Sequence, residues 1–130
     1  LSDEDRARLM KDVLVFWSMP TDDPARPPLH STGGAVDLTI LNDAGQPLDM
    51  GTVFDHLGPE SATAHFAQTN AAVHANRQLL LGVMLAAGFT NYENEWWHYD
   101  YGTQRWAMTL RRDGKDPEAI ACYGRALSLH

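Results

Sequence analysis

Asn70-Ala71-Ala72-Val73-His74-Ala75-Asn76-Arg77-Gln78-Leu79-Leu80-Leu81-Gly82-Val83-Met84-Leu85-Ala86-Ala87-Gly88 is the stretch that decides the fold. Asn70, or Thr69 before it, offers a side-chain oxygen to a helix start, and Gly88 stands where a left-handed residue closes one. Leu79-Leu80-Leu81 and Val83-Met84-Leu85 make the last turns apolar nearly all round, which predicts a central, buried helix running to about Ala87. Extended patterns lie on both sides of it. Upstream, Ala35 to Leu41 alternates, with Val36, Leu38 and Ile40 on one face and Asp37 and Thr39 on the other, the period of a half-buried strand. Downstream, the aromatic-rich run Tyr92 to Tyr101 favours extended backbone, and Trp106 to Leu110 reads as its partner strand. The order predicts an α+β fold, a small antiparallel sheet backed by helices on one face.

Further out, Ser2 with Asp5 three residues on is a helix-start signal, and Asp3, Glu4 and Asp5 place negative charge where the helix dipole favours it. A first helix is predicted from about Asp3 to Phe16, with Leu9, Val13, Phe16 and Trp17 at helical spacing and Pro20 as the stop. Residues Ser18 to Pro28 hold four prolines and read as a surface loop. Asn42-Asp43-Ala44-Gly45 is a turn, Pro47 to Met50 a weaker returning strand, and Gly51 to Glu60 irregular.

At 130 residues and 14.5 kDa, with 44% apolar content, the chain supplies one core and one domain, residues 1–130. The lone Cys122 has no internal disulfide partner and reads as a small apolar filler. A net charge of −7 excludes nucleic acid and anionic membrane as main partners. No membrane span is expected, because the apolar run Leu79 to Phe89 is far short of the roughly 20 residues a span needs. With one cysteine and an acidic opening in place of a signal segment, the cytoplasm is the expected compartment. A natural chain starts with Met, so Leu1 leads us to expect residues upstream of it, and an export signal among them would make the protein periplasmic.

Metal chemistry needs imidazoles and carboxylates converging on one point, and three protein ligands with an open fourth position define a catalytic site. His30, Asp37 and His98 supply such a set. Prolines and glycines exclude a helix between His30 and Asp37, but a turn at Gly33-Gly34 can fold the His30 loop over the strand face that displays Asp37. Glu95 and His98, three apart, point to opposite faces of a regular strand, so a shared site demands a bulge or turn there. Under that condition Glu95 stands beside the open position, where it can take a proton from water. Trp96 and Trp97 then lower the local dielectric and raise the Glu95 pKa toward that of a general base. Blander readings exist for each residue: a loop histidine for His30, an arginine salt bridge for Asp37, and an aromatic core strand with two outward polar groups for Glu95-Trp96-Trp97-His98.

The run His30-Ser31-Thr32-Gly33-Gly34-Ala35-Val36-Asp37, followed after a long helix by Glu95-Trp96-Trp97-His98, resembles the two zinc motifs of the D-alanyl-D-alanine dipeptidases, the VanX-type zinc DD-peptidases. Asp49-Met50-Gly51-Thr52-Val53-Phe54-Asp55 is similar to the family's M-G-x-x-F-D segment. The resemblance implies His30, Asp37 and His98 as ligands of Zn2+ and Glu95 as catalytic base. It places Asp55 on the substrate's ammonium group. It further implies the fold shared with the Hedgehog amino-terminal domain, and hydrolysis of D-alanyl-D-alanine or a similar small D,D-dipeptide. The family's serine two residues before the first ligand is Pro28 here, and the family's upstream D-G-Y-R-P arginine has no counterpart in the chain. We therefore expect a zinc DD-peptidase-like domain lacking its N-terminal part. The other uses open to such a metal site are a D,D-carboxypeptidase or cell-wall endopeptidase, or a zinc-binding module without catalysis. His56, His65, His74 and His130 are scattered singly and read as structural or solvated, and Tyr99 and Tyr101 as either pocket or sheet residues.

Overall fold

Ser2 and Asp5 close a reciprocal cap on the first helix: the Asp5 amide donates to Ser2 Oγ at 3.0 Å, and the Ser2 amide to Asp5 Oδ2 at 3.1 Å. That helix, α1, spans Asp3–Phe16 as expected. The computed structural model describes residues 2–16, 21 and 23–126; Trp17 and the expected stop at Pro20 lie outside them, as does His130. Leu9 and Val13, the apolar stripe of α1, face outward.

The sheet has three short antiparallel strands, β1 (Ala35–Asp37), β2 (Thr90–Asn91) and β3 (His98–Asp100), in the order β1-β3-β2. β1 is shorter than the alternation predicted. Beyond Asp37 only the Leu38 amide still reaches β3's approach, at the Trp97 carbonyl, and the chain then turns through Asn42–Gly45. The weak return strand is a single bridge from Leu41 to Pro47, with the Leu48 amide donating to the Ile40 carbonyl.

Helix α2 (Ala71–Ala86) begins at Asn70, whose side chain accepts from the Val73 amide. It is buried on one face only: Val73, Arg77, Leu80 and Met84 point inward, while Leu79, Val83 and Leu85 are exposed. The expectation of a helix buried all round is thereby corrected. Its inner positions recur at helical spacing on one stripe, and the sheet is too narrow to cover the rest. Met50, Leu80, Met84, Trp96, Trp97 and Tyr99 form the core between α2 and the sheet.

The segment Trp106 to Leu110 is not a strand but part of α3 (Gln104–Arg112). Thr103 overrides the apparent alternation, because its hydroxyl accepts from the Trp106 amide and starts the helix. Ala107 is then the buried position and Met108 the exposed one, which no period-2 pattern delivers. Cys122 is exposed and fills no core space, a second correction; its backbone amide bonds the Gly102 carbonyl and leaves the short side chain outside. No helix among the described residues is long and apolar enough to cross a membrane.

Candidate metal centre

His30 sits in a single 3-10 turn, Leu29–Thr32, that ends at Gly33 with φ +72°. A side chain is strained in that left-handed conformation. Gly34 is needed for a different reason, since a Cβ there would lie 2.5 Å from the Tyr101 carbonyl oxygen. The Tyr101 amide donates to the Gly34 carbonyl at 2.8 Å, so the turn is laced directly to the end of β3. This brings His30 Nε2 to 3.6 Å from Asp37 Oδ2.

On β3 the pleat separates two jobs. Tyr99 points into the core with its neighbour Trp97, whereas His98 and Asp100, two apart, share the opposite face. Glu95 reaches that face by the turn the spacing demanded: the Glu95 amide bonds the Tyr92 carbonyl, and the His98 amide bonds the Glu95 carbonyl. Glu95 Oε2 thus lies 3.6 Å from His98 Nδ1. The same ring nitrogen is 3.2 Å from Asp37 Oδ1. One ligand atom each from His30, Asp37 and His98 lie within 4.8 Å of one another.

Two imidazoles and a carboxylate form a donor set that divalent transition metals accept, and their spacing fits atoms gathered around one ion. The tautomer fits as well. Asp100 is fully buried and accepts a hydrogen bond from His98 Nε2–H at 2.9 Å, while the Thr103 hydroxyl donates to its other oxygen at 2.8 Å. With Nε2–H committed to Asp100, Nδ1 presents its lone pair to the Asp37 and Glu95 side. Asp100 and Thr103 escaped the sequence reading, although a carboxylate two residues after a ligand on the same strand was the signal to look for.

The charges around the cluster move two groups. Burial works against an ionised Glu95 and, with Asp37 and Asp55 adding negative charge nearby, carries its pKa up to about 7 against the pull of His98 and Arg105. For His98, burial opposes the charge, but hydrogen bonds to Asp100 and Asp37 outweigh it and hold the metal-free ring protonated up to about pH 9. Trp96 and Trp97 are both buried and supply the apolar wall.

Asp55 stands outside the ligand cluster but near enough to act on Glu95. Its backbone is left-handed at φ +57°, an unusual conformation for a residue with a side chain. The loop carrying it is pinned by Phe54 stacked on Trp96 at 5.3 Å and by Trp96 Nε1 donating to Thr52 Oγ1. Tyr99 is fully buried and belongs to the core, and Tyr101 packs against Phe89 and Trp106, away from the cluster. His56 pairs with Glu60 and His65 meets Phe66 edge-on, so neither joins it.

The sequence profile described as D-ala-D-ala dipeptidase, of the M15 peptidases, matches residues 2–114. A D-alanyl-D-alanine dipeptidase of Synechocystis sp. is 36% identical over 135 residues, an alignment covering 96% of this chain and 55% of that protein. Relatives of the same name from Escherichia coli and Streptomyces coelicolor are 39% and 42% identical over 71 and 72 residues, which is 36% and 35% of their lengths. The chain therefore spans about half of the Synechocystis relative and about a third of the other two. With the profile covering nearly the whole chain and the fold and residue cluster in agreement with it, the chain belongs to the D-ala-D-ala dipeptidase family of peptidases.

Proposed function

We propose that the protein hydrolyses D-alanyl-D-alanine or a similar small D,D-dipeptide as a zinc-dependent dipeptidase. The observation that carries this reading is the convergence of His30, Asp37 and His98 with the buried carboxyl of Glu95 at 3.6 Å from His98 Nδ1. His30, Asp37 and His98 would hold the zinc, which would supply Lewis acidity toward water and the scissile carbonyl.

Glu95 takes the proton from the attacking water and returns it to the leaving amine. Burial works against the ionised form of Glu95, which suits the carboxyl to hold the proton between the two transfers. Asp100 holds the His98 ring with its Nε2 proton engaged, so Nδ1 stays a donor of electrons through the cycle. Asp55 attracts the substrate's ammonium group, favouring dipeptides with a free amino end over longer chains.

The test is metal analysis joined to turnover. The purified chain is expected to carry about one zinc, Glu95→Ala to keep zinc but lose hydrolysis of D-alanyl-D-alanine, and His98→Ala to lose zinc. A Glu95→Ala protein that still hydrolyses the dipeptide overturns the mechanism, and a chain that binds no divalent metal overturns the reading itself.

A further inference from the structure

A groove of about 510 Å³ lies between the segment Arg26–Leu29, which leads directly into His30, and the first turns of α3 at Arg105 and Met108. Gln104 ties its two walls by donating from Nε2 to the Ala25 carbonyl. Among the described residues both cations in it, Arg26 and Arg105, are without a carboxylate partner, and none of the described lining residues is acidic.

Arg105 is nevertheless held in place. Its guanidinium lies 3.8 Å from the centre of the Tyr92 ring, and that ring meets His98 edge-on at 6.1 Å. Its helix is anchored by Thr103, whose hydroxyl also bonds Asp100 behind His98. The same cation is close enough to pull the Glu95 pKa down. Carboxyl groups of Asp37, Asp55 and Glu95 thus gather at the cluster, and Arg105 with Arg26 brings positive charge in the groove. A zwitterionic dipeptide carries one end for each sign.

We propose that Arg105 binds the C-terminal carboxylate of the dipeptide, with Arg26 reinforcing the positive field of the groove. This assignment rests on the dipeptidase reading and adds the group that recognises a free carboxyl end. A guanidinium offers a planar fork to a carboxylate, and a lysine or a neutral residue at 105 does not reproduce it.

The experiment uses the zinc-loaded chain carrying Glu95→Gln, which removes turnover, and measures binding of D-alanyl-D-alanine and of its C-terminal amide by calorimetry. With Arg105 present, the acid is expected to bind more tightly than the amide. Adding Arg105→Gln should weaken the acid by about 10-fold to 100-fold, the range for a lost hydrogen bond to a charged group, and leave the amide unchanged. Arg105→Lys, which keeps the charge, should restore part of the preference. Equal affinity for acid and amide with Arg105 present overturns the proposal, as does an equal loss for both ligands in Arg105→Gln. Failure of the dipeptidase mechanism shows separately, as turnover surviving in the Glu95→Gln chain.

Discussion

Asp37 and His98 are register partners across the β1–β3 pair, and Asp37 Oδ1 stands 3.2 Å from His98 Nδ1. Directly opposed residues on one face of an antiparallel pair have their side chains in reach of each other. Two of the three candidate ligands are therefore positioned by sheet register, and only His30 depends on a loop. The buried Asp100 behind His98 extends this rigidity to the ring itself. Asp100→Asn keeps the size of the side chain but removes the charge that fixes the Nε2 proton. Zinc affinity is expected to fall about 10-fold to 100-fold, with His98→Ala losing zinc outright; competition titration with a chromophoric chelator measures both.

The pH dependence of stability should flatten with metal. In the metal-free protein, His98 has a folded pKa of about 9 against 6.5 for an ordinary histidine, so its contribution is complete below pH 6.5 and lost as pH rises to 9. Glu95 has a folded pKa of about 7 against 4.5, so the native state binds more protons than the unfolded one between those values, and stability again falls with rising pH. Both slopes have the same sign. Zinc must displace the His98 proton, so below pH 9 its affinity should rise by about one decade per pH unit from this group alone. Urea midpoints from pH 6.5 to 9 should decline without metal, and saturating zinc should cancel the His98 part of that decline. Glu95→Gln should flatten the metal-free decline between pH 4.5 and 7.

How much of this was legible in the sequence follows from what each feature depends on. Residues three apart point to opposite faces of a strand, so a site shared by Glu95 and His98 demanded a turn, and the glycine pair at 33–34 allowed the His30 loop to fold back; local pattern left blander readings open for each residue, and the resemblance to the family's two motifs chose among them. Helix α3 could not be read in that way. Trp106, Met108 and Leu110 alternate convincingly, and Thr103 declares itself a cap only once Asp100 and the Trp106 amide are placed around it. The outer face of α2 misled for a related reason: Leu79 and Val83 are as apolar as Leu80 and Met84, and only the width of the sheet shows which stripe is covered. Arg105 was passed over because its seat on the Tyr92 ring and its pull on Glu95 arise only in the fold and leave no spacing signal.

Arg77 is the clearest stability determinant outside the cluster. It is fully buried in α2 and spends its guanidinium on three backbone carbonyls, from Nε to Met50 at 2.8 Å, from Nη1 to Ala62 at 2.7 Å and from Nη2 to Glu60 at 2.9 Å. It thereby clamps the irregular segment that carries Asp55. Burial lowers its pKa only to about 10, so it stays charged at neutral pH. Arg77→Lys keeps a charge but can no longer satisfy three diverging carbonyls. With about 1–3 kcal/mol for each buried group left unpaired, a loss of about 3 kcal/mol is expected in urea denaturation. Because the ligands lie elsewhere, zinc affinity of the folded fraction should change little.

Gly34→Ala probes the contact that joins the His30 turn to β3. The new methyl would meet the Tyr101 carbonyl oxygen at 2.5 Å and the Thr103 side chain at 2.9 Å, and the first of these is backbone that cannot swing aside. The turn must lift away, lengthening the 2.8 Å bond from the Tyr101 amide to the Gly34 carbonyl and drawing His30 off Asp37. Overpacking of this kind costs about 1–3 kcal/mol. The distinguishing result lies in the metal: His30 should drop out of the ligand set while Asp37 and His98 keep their register. Zinc is then expected to bind far more weakly, with the His98 ring resonance still shifting on addition of metal and that of His30 no longer doing so. Ring resonances of both histidines moving together in the variant would show that the turn tolerates a side chain at position 34.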